Sequence, residues 1–111
     1  MTGIALTAHG LCDARKAEAL ILEWFDCEGL ELVYIHDGVL IACGDMLNAS
    51  SHQEFTKVVE VRVYPLAGGC IQVRWSMLHP PDLPRPTWAL RLLEGLRLRL
   101  EADPLWHVDG P

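Results

Sequence analysis

The sequence predicts an α+β domain: an antiparallel sheet of two hairpins, four strands or five with a short leading one, flanked by an N-terminal and a C-terminal helix packed on one face. Three observations predict it. Apolar residues recur at three- and four-residue steps near both ends of the chain, which is the helical period. Between those segments, apolar and polar residues alternate with the two-residue period of half-buried strands. Neither a repeat nor a linker interrupts the chain, so helices and strands are segregated rather than interleaved, as in α+β domains.

Gly3 to Ala8 reads as a short edge strand. Asp13 is a competent N-cap whose charge also suits the positive end of a helix dipole. Ala17, Leu20, Ile21, Trp24 and Phe25 then form one apolar stripe on a helix running to Glu28, and Gly29 can take the left-handed conformation that ends it. Leu30 to His36 and Val39 to Cys43 flank Asp37-Gly38, the dipeptide of a two-residue type I′ hairpin. That turn predicts His36 opposite Val39, Ile35 opposite Leu40, Tyr34 opposite Ile41 and Leu32 opposite Cys43. Gly44 to Glu54 is a long polar loop, of a length that invites a functional reading.

In the second hairpin Val59, Val61 and Val63 alternate with Glu60, Arg62 and Tyr64, and Ile71, Val73, Trp75 and Met77 with Gln72, Arg74 and Ser76. A connection from Pro65 to Gly69 predicts Val61 opposite Val73 and Glu60 opposite Arg74, an apolar ladder on one face and an ion pair on the other. His79 to Pro86 holds four of the seven prolines. Prolines lack the donor that a ladder needs, so this segment reads as an extended crossover. Thr87 caps a helix from Trp88 to Ala102 that turns Ala89, Leu92, Leu93, Leu96 and Leu100 inward, and Asp103-Pro104 stops it. Leu105 to Pro111 forms a tail whose Trp106 packs against the body.

At 111 residues, 50% of them apolar, the chain suffices for one core and not two, so residues 1–111 are one domain with 103–111 as its C-terminal tail. Fifteen acidic against nine basic residues give a net charge of −6. That disfavours nucleic acid as a partner, because phosphate binding needs a basic face; Arg91, Arg97 and Arg99 are interleaved with Glu94 and Glu101 as on a solvated helix. The apolar runs are too short to span a membrane. Cys12, Cys27, Cys43 and Cys70 form no C-x-x-C pair, and the N-terminus does not read as a signal peptide. They are expected to be reduced, mostly buried apolar side chains of a cytoplasmic protein.

No catalytic constellation stands out, and neither cofactor nor metal is expected. His9, His36, His52, His79 and His107 are scattered without metal-ligand spacing. No G-x-S-x-G elbow, phosphate cradle or close carboxylate pair is present. The informative feature is an asymmetry between the hairpins. The second has one apolar face and one polar face. The first is apolar on both, with Leu32, Tyr34, Ile41 and Cys43 on one side and Val33, Ile35, Leu40 and Ala42 on the other. Strands apolar on both faces are expected where both are covered. The leading expectation is therefore a small interaction protein that forms a homodimer through Val33, Ile35, Leu40 and Ala42, supported by a mean hydropathy of +0.17. One alternative is a carrier or sensor of a small apolar ligand, with Tyr34, Trp75, Met77, His79 and Trp88 lining a pocket between sheet and C-terminal helix. Another is an acidic inhibitor of immunity type, steered by its charge to a basic partner.

Overall fold

Elements of the structure, a computed structural model describing residues 4–44, 57–78 and 87–109, run in the order β1 (Ile4–Gly10), α1 (Ala14–Cys27), β2 (Glu31–His36), β3 (Val39–Gly44), β4 (Lys57–Pro65), β5 (Ile71–Leu78), α2 (Thr87–Glu101) and β6 (Trp106–Val108). The two polar connections singled out in the sequence, 45–54 and 79–86, lie outside the described residues. Among the described residues, six strands form one antiparallel sheet in the order β2-β3-β4-β5-β1-β6.

Helix α1 begins as its cap dictates. The Asp13 carboxylate accepts from Lys16 N at 2.8 Å, satisfying one of the first-turn amides that have no partner within the helix. It ends at Gly29, whose φ of 70° is left-handed. The first hairpin turns through Asp37 and Gly38 with φ of 48° and 75°, the paired positive angles of a type I′ turn. Gly38 is also tied to the next strand, because Val63 N donates to Gly38 O at 2.7 Å.

The sheet corrects four expectations. The leading strand is not an edge: β1 lies between β5 and β6, because the chain beyond α2 is not a loose tail but a sixth strand paired to it. In the second hairpin Val61 stands opposite Trp75 and Glu60 opposite Ser76, two residues away from the expected register. The ladder runs on to Pro65 and Ile71, and the loop then closes with Leu66 N donating to Cys70 O at 2.9 Å. A slip of two preserves every side chain's face. It does abolish the Glu60–Arg74 pair; Glu60 binds Arg62 on its own strand instead. In the first hairpin three expected pairs form, but a bulge at Val33 sets Leu32 opposite Ala42 rather than Cys43. Finally, none of the four free cysteines is fully buried, and Cys27 is exposed.

All fully buried strand residues share one face. Leu40 and Ala42, Val59 and Val61, Val73, Trp75 and Met77, and Leu6 and Ala8 meet Ala17, Ile21, Trp24 and Phe25 of α1 and Ala89, Leu93, Leu96 and Leu100 of α2 in one core. Both helices therefore pack on that side. The other face carries Glu60, Arg62, Tyr64, Gln72 and Arg74 toward solvent, and no element covers it among the described residues. The chain's two ends meet at Trp106, whose indole packs on β1 and lies edge-on to Trp75 at 6.3 Å between ring centroids. A β-carbon added to Gly10 would fall 2.8 Å from Trp106 Cη2, so the indole occupies the space that a larger residue would fill.

Candidate interaction surface

Strand β2 ends the sheet, and no strand lies outside it among the described residues. Its six residues, Glu31 to His36, are all exposed. Four consecutive apolar side chains are included: Leu32 at 37%, Val33 at 52%, Tyr34 at 47% and Ile35 at 47%. The adjacent strand differs sharply. On β3, Leu40 and Ala42 are wholly buried, while Val39, Ile41 and Cys43 are half-buried on the open face.

The bulge decides which residues share a side. Leu32 and Ile35 stand across from Ala42 and Leu40, so both point to the helix side. Glu31, Tyr34 and His36 stand across from Cys43, Ile41 and Val39 and point to the open side. Of the interface residues expected from sequence, Leu40 and Ala42 thus belong to this chain's own core, and Val33 and Ile35 are accessible. Leu32 and Tyr34 join the accessible set. Strict alternation hid Leu32, because nothing in Glu31-Leu32-Val33-Tyr34 marks a bulge.

The surface is apolar in the middle and charged at its ends. His36 Nε2 lies 3.1 Å from Asp37 Oδ2, both side chains well exposed. Burial, and then the negative charge of Glu31 across the hairpin, push the Cys43 thiol above its ordinary value, so it stays protonated at neutral pH. Cys12 is pushed the same way by burial and by Asp13. Neither is an activated nucleophile, because the thiolate is the reactive form.

Elsewhere the expected groupings do not assemble. Trp75 and Met77 are fully buried beneath the helices, whereas Tyr34 stands on the open face of the far edge strand. His79 and the side chain of Trp88 lie outside the described residues. The Trp75 indole N–H has no hydrogen-bond partner among the described residues. At the opposite end of the sheet, His9 Nδ1 and the Asp109 carboxylate lie 3.0 Å apart, next to a shallow depression of about 260 Å³ formed by Leu11, Cys70, Leu105 and Trp106 among others. Among the described residues no three His, Cys, Asp or Glu side chains are placed to hold a metal ion. Nor is any described helix long and apolar enough to cross a membrane.

No protein-family model matches the chain, and no curated protein matches it in sequence. Function must therefore be argued from the surface itself.

Proposed function

We propose that this chain is a small cytoplasmic interaction protein that works as a homodimer joined through its first hairpin. The observation that supports this reading is the run of four exposed apolar side chains, Leu32 to Ile35, on an edge strand with no outer neighbour among the described residues. Edge strands are commonly guarded by lysine, proline or inward-pointing charge. The six residues of β2 carry none of these, and their one carboxylate and one imidazole, Glu31 and His36, sit at the two ends. The four free cysteines suit a reducing compartment.

Native mass spectrometry of the untreated protein at low micromolar concentration tests the reading, with two chains of 12.4 kDa expected per particle. Val33→Lys and Ile35→Lys should each give a folded monomer, because both positions are about half exposed and a lysine there costs the single chain little. A wild-type protein that stays monomeric to roughly 100 micromolar, where even a weak dimer of this kind would form, refutes it.

One observation favours a second reading, an apolar-ligand carrier. Among the described residues the buried Trp75 N–H is a donor without a partner, and such groups normally find one. A ligand acceptor reaching Trp75 would appear as extra mass on a monomer, and Met77→Trp should then abolish ligand-induced thermal stabilisation.

A further inference from the structure

We propose that β2 pairs with β2 of a second copy, antiparallel across a two-fold axis, with Glu31 opposite His36 and Leu32 opposite Ile35. The inference rests on the self-association reading above and specifies the contact. In a two-fold contact, residue i meets j and j meets i. Residues directly opposite in an antiparallel ladder point to the same face. In a regular strand, Glu31 and His36 would lie on opposite faces, as would Leu32 and Ile35, so neither pair could form. The bulge at Val33 removes that obstacle. It brings Glu31 and His36 together on the open side and Leu32 and Ile35 together on the helix side.

A slip of one residue would set helix-side Leu32 against open-side His36, so the face pattern selects the register. A bulge commonly protects an edge strand against indiscriminate pairing. Here it restricts pairing to a partner with the same bulge, which is another copy of this chain. The charges agree with the faces. Each end of the paired strands sets a carboxylate across from an imidazole, twice per dimer. His36 Nε2 already meets Asp37 within its own turn, which leaves Nδ1 to face the second copy's Glu31. The contact also closes on itself. The opposite edge strand, β6, spans three residues, Trp106 to Val108, so among the described residues a paired β2 leaves no edge strand of six residues for further growth.

A charge exchange tests the register, read by sedimentation equilibrium with circular dichroism to check folding. Glu31→Lys should weaken the dimer roughly ten-fold, since it removes two favourable cross-strand carboxylate–imidazole pairs and sets an ammonium in the place of each carboxylate. Adding His36→Glu to the same chain should restore it to within about three-fold of wild type. Hydrogen exchange needs no variant: those amides of residues 31–36 that point away from β3 should become protected as concentration rises through dimer formation. A wild-type dimer that neither responds to Glu31→Lys nor protects these amides overturns the β2 contact and leaves self-association standing. Loss without restoration in the folded double variant overturns the register. A monomer at every concentration overturns both readings.

Discussion

Gly38 links the turn chemistry to the position of β2, and its replacement by alanine separates two costs. The residue has φ of 75°, and a β-carbon there would lie 2.7 Å from the carbonyl oxygen of Val63. Left-handed backbone alone costs a non-glycine residue about 1–2 kcal/mol. The overlap falls on backbone rather than on a flexible side chain, so the turn must lift away from β4. That movement threatens the hydrogen bond from Val63 N to Gly38 O, worth about 0.5–1.5 kcal/mol net. Gly29 supplies the control, with φ of 70° and nothing within 4 Å of the position a β-carbon would take. Gly29→Ala should therefore lose only the backbone term. Gly38→Ala should lose about 1–3 kcal/mol more, a gap of roughly 5–15 °C between the two melting temperatures for a domain of this size. Thermal denaturation followed by circular dichroism reads the difference. Equal losses would mean that the turn does not rest on β4 as described, and the placement of the edge strand would fall with it.

Trp106→Ala should destabilise by about 3–5 kcal/mol in chemical denaturation, and Gly10→Ala by about 1–3 kcal/mol, because both disturb the indole that joins the two ends of the chain. The ion pair between Arg99 Nη2 and Glu23 Oε1 at 2.9 Å, which links α2 to α1, is well exposed on its glutamate side; a double-mutant cycle should find a coupling of about 0.2–1 kcal/mol at most. Alkylation by iodoacetamide should reach exposed Cys27 first. Because burial and nearby carboxylates raise the Cys12 and Cys43 thiols, less thiolate is present at a given pH, and their reaction should begin at higher pH. Glu31→Gln should speed Cys43 in particular, which peptide mass spectrometry would resolve.

Local chemistry made most of the fold legible. Asp13 and Gly29 bound the first helix because a cap and a left-handed glycine act over one turn of chain. Asp37-Gly38 places the first hairpin for the same reason. What escaped was set by partners distant in sequence. The period of two in the second hairpin fixes faces but is blind to a slip of two, and the turn between Pro65 and Ile71 made that choice. Trp106-His107-Val108 alternates over too few residues to stand out as a strand; it becomes one because β1, almost a hundred residues earlier, offers it an edge.

The surface was harder to read, since Ile35 and Leu40 look alike in sequence, pair with each other and point to the same side, yet one is half exposed and the other wholly buried. The difference follows from widths. Six strands about 4.8 Å apart extend some 24 Å from first to last, whereas two helices side by side, each about 10 Å across, cover roughly 20 Å. One edge must overhang. Helix α2 lies over β6 and β1, and α1 lies chiefly over β4 and also approaches β2, but too little to cover it, since all six β2 residues remain exposed. An overhanging strand of ordinary design would carry polar residues on both sides. This one retains the apolar pattern of a covered strand, and the bulge at Val33 gathers Leu32 with Ile35 on the side where the helices stop short. A neighbouring copy paired along β2 would continue the sheet past that overhang and bury the same side chains that the helical layer leaves bare.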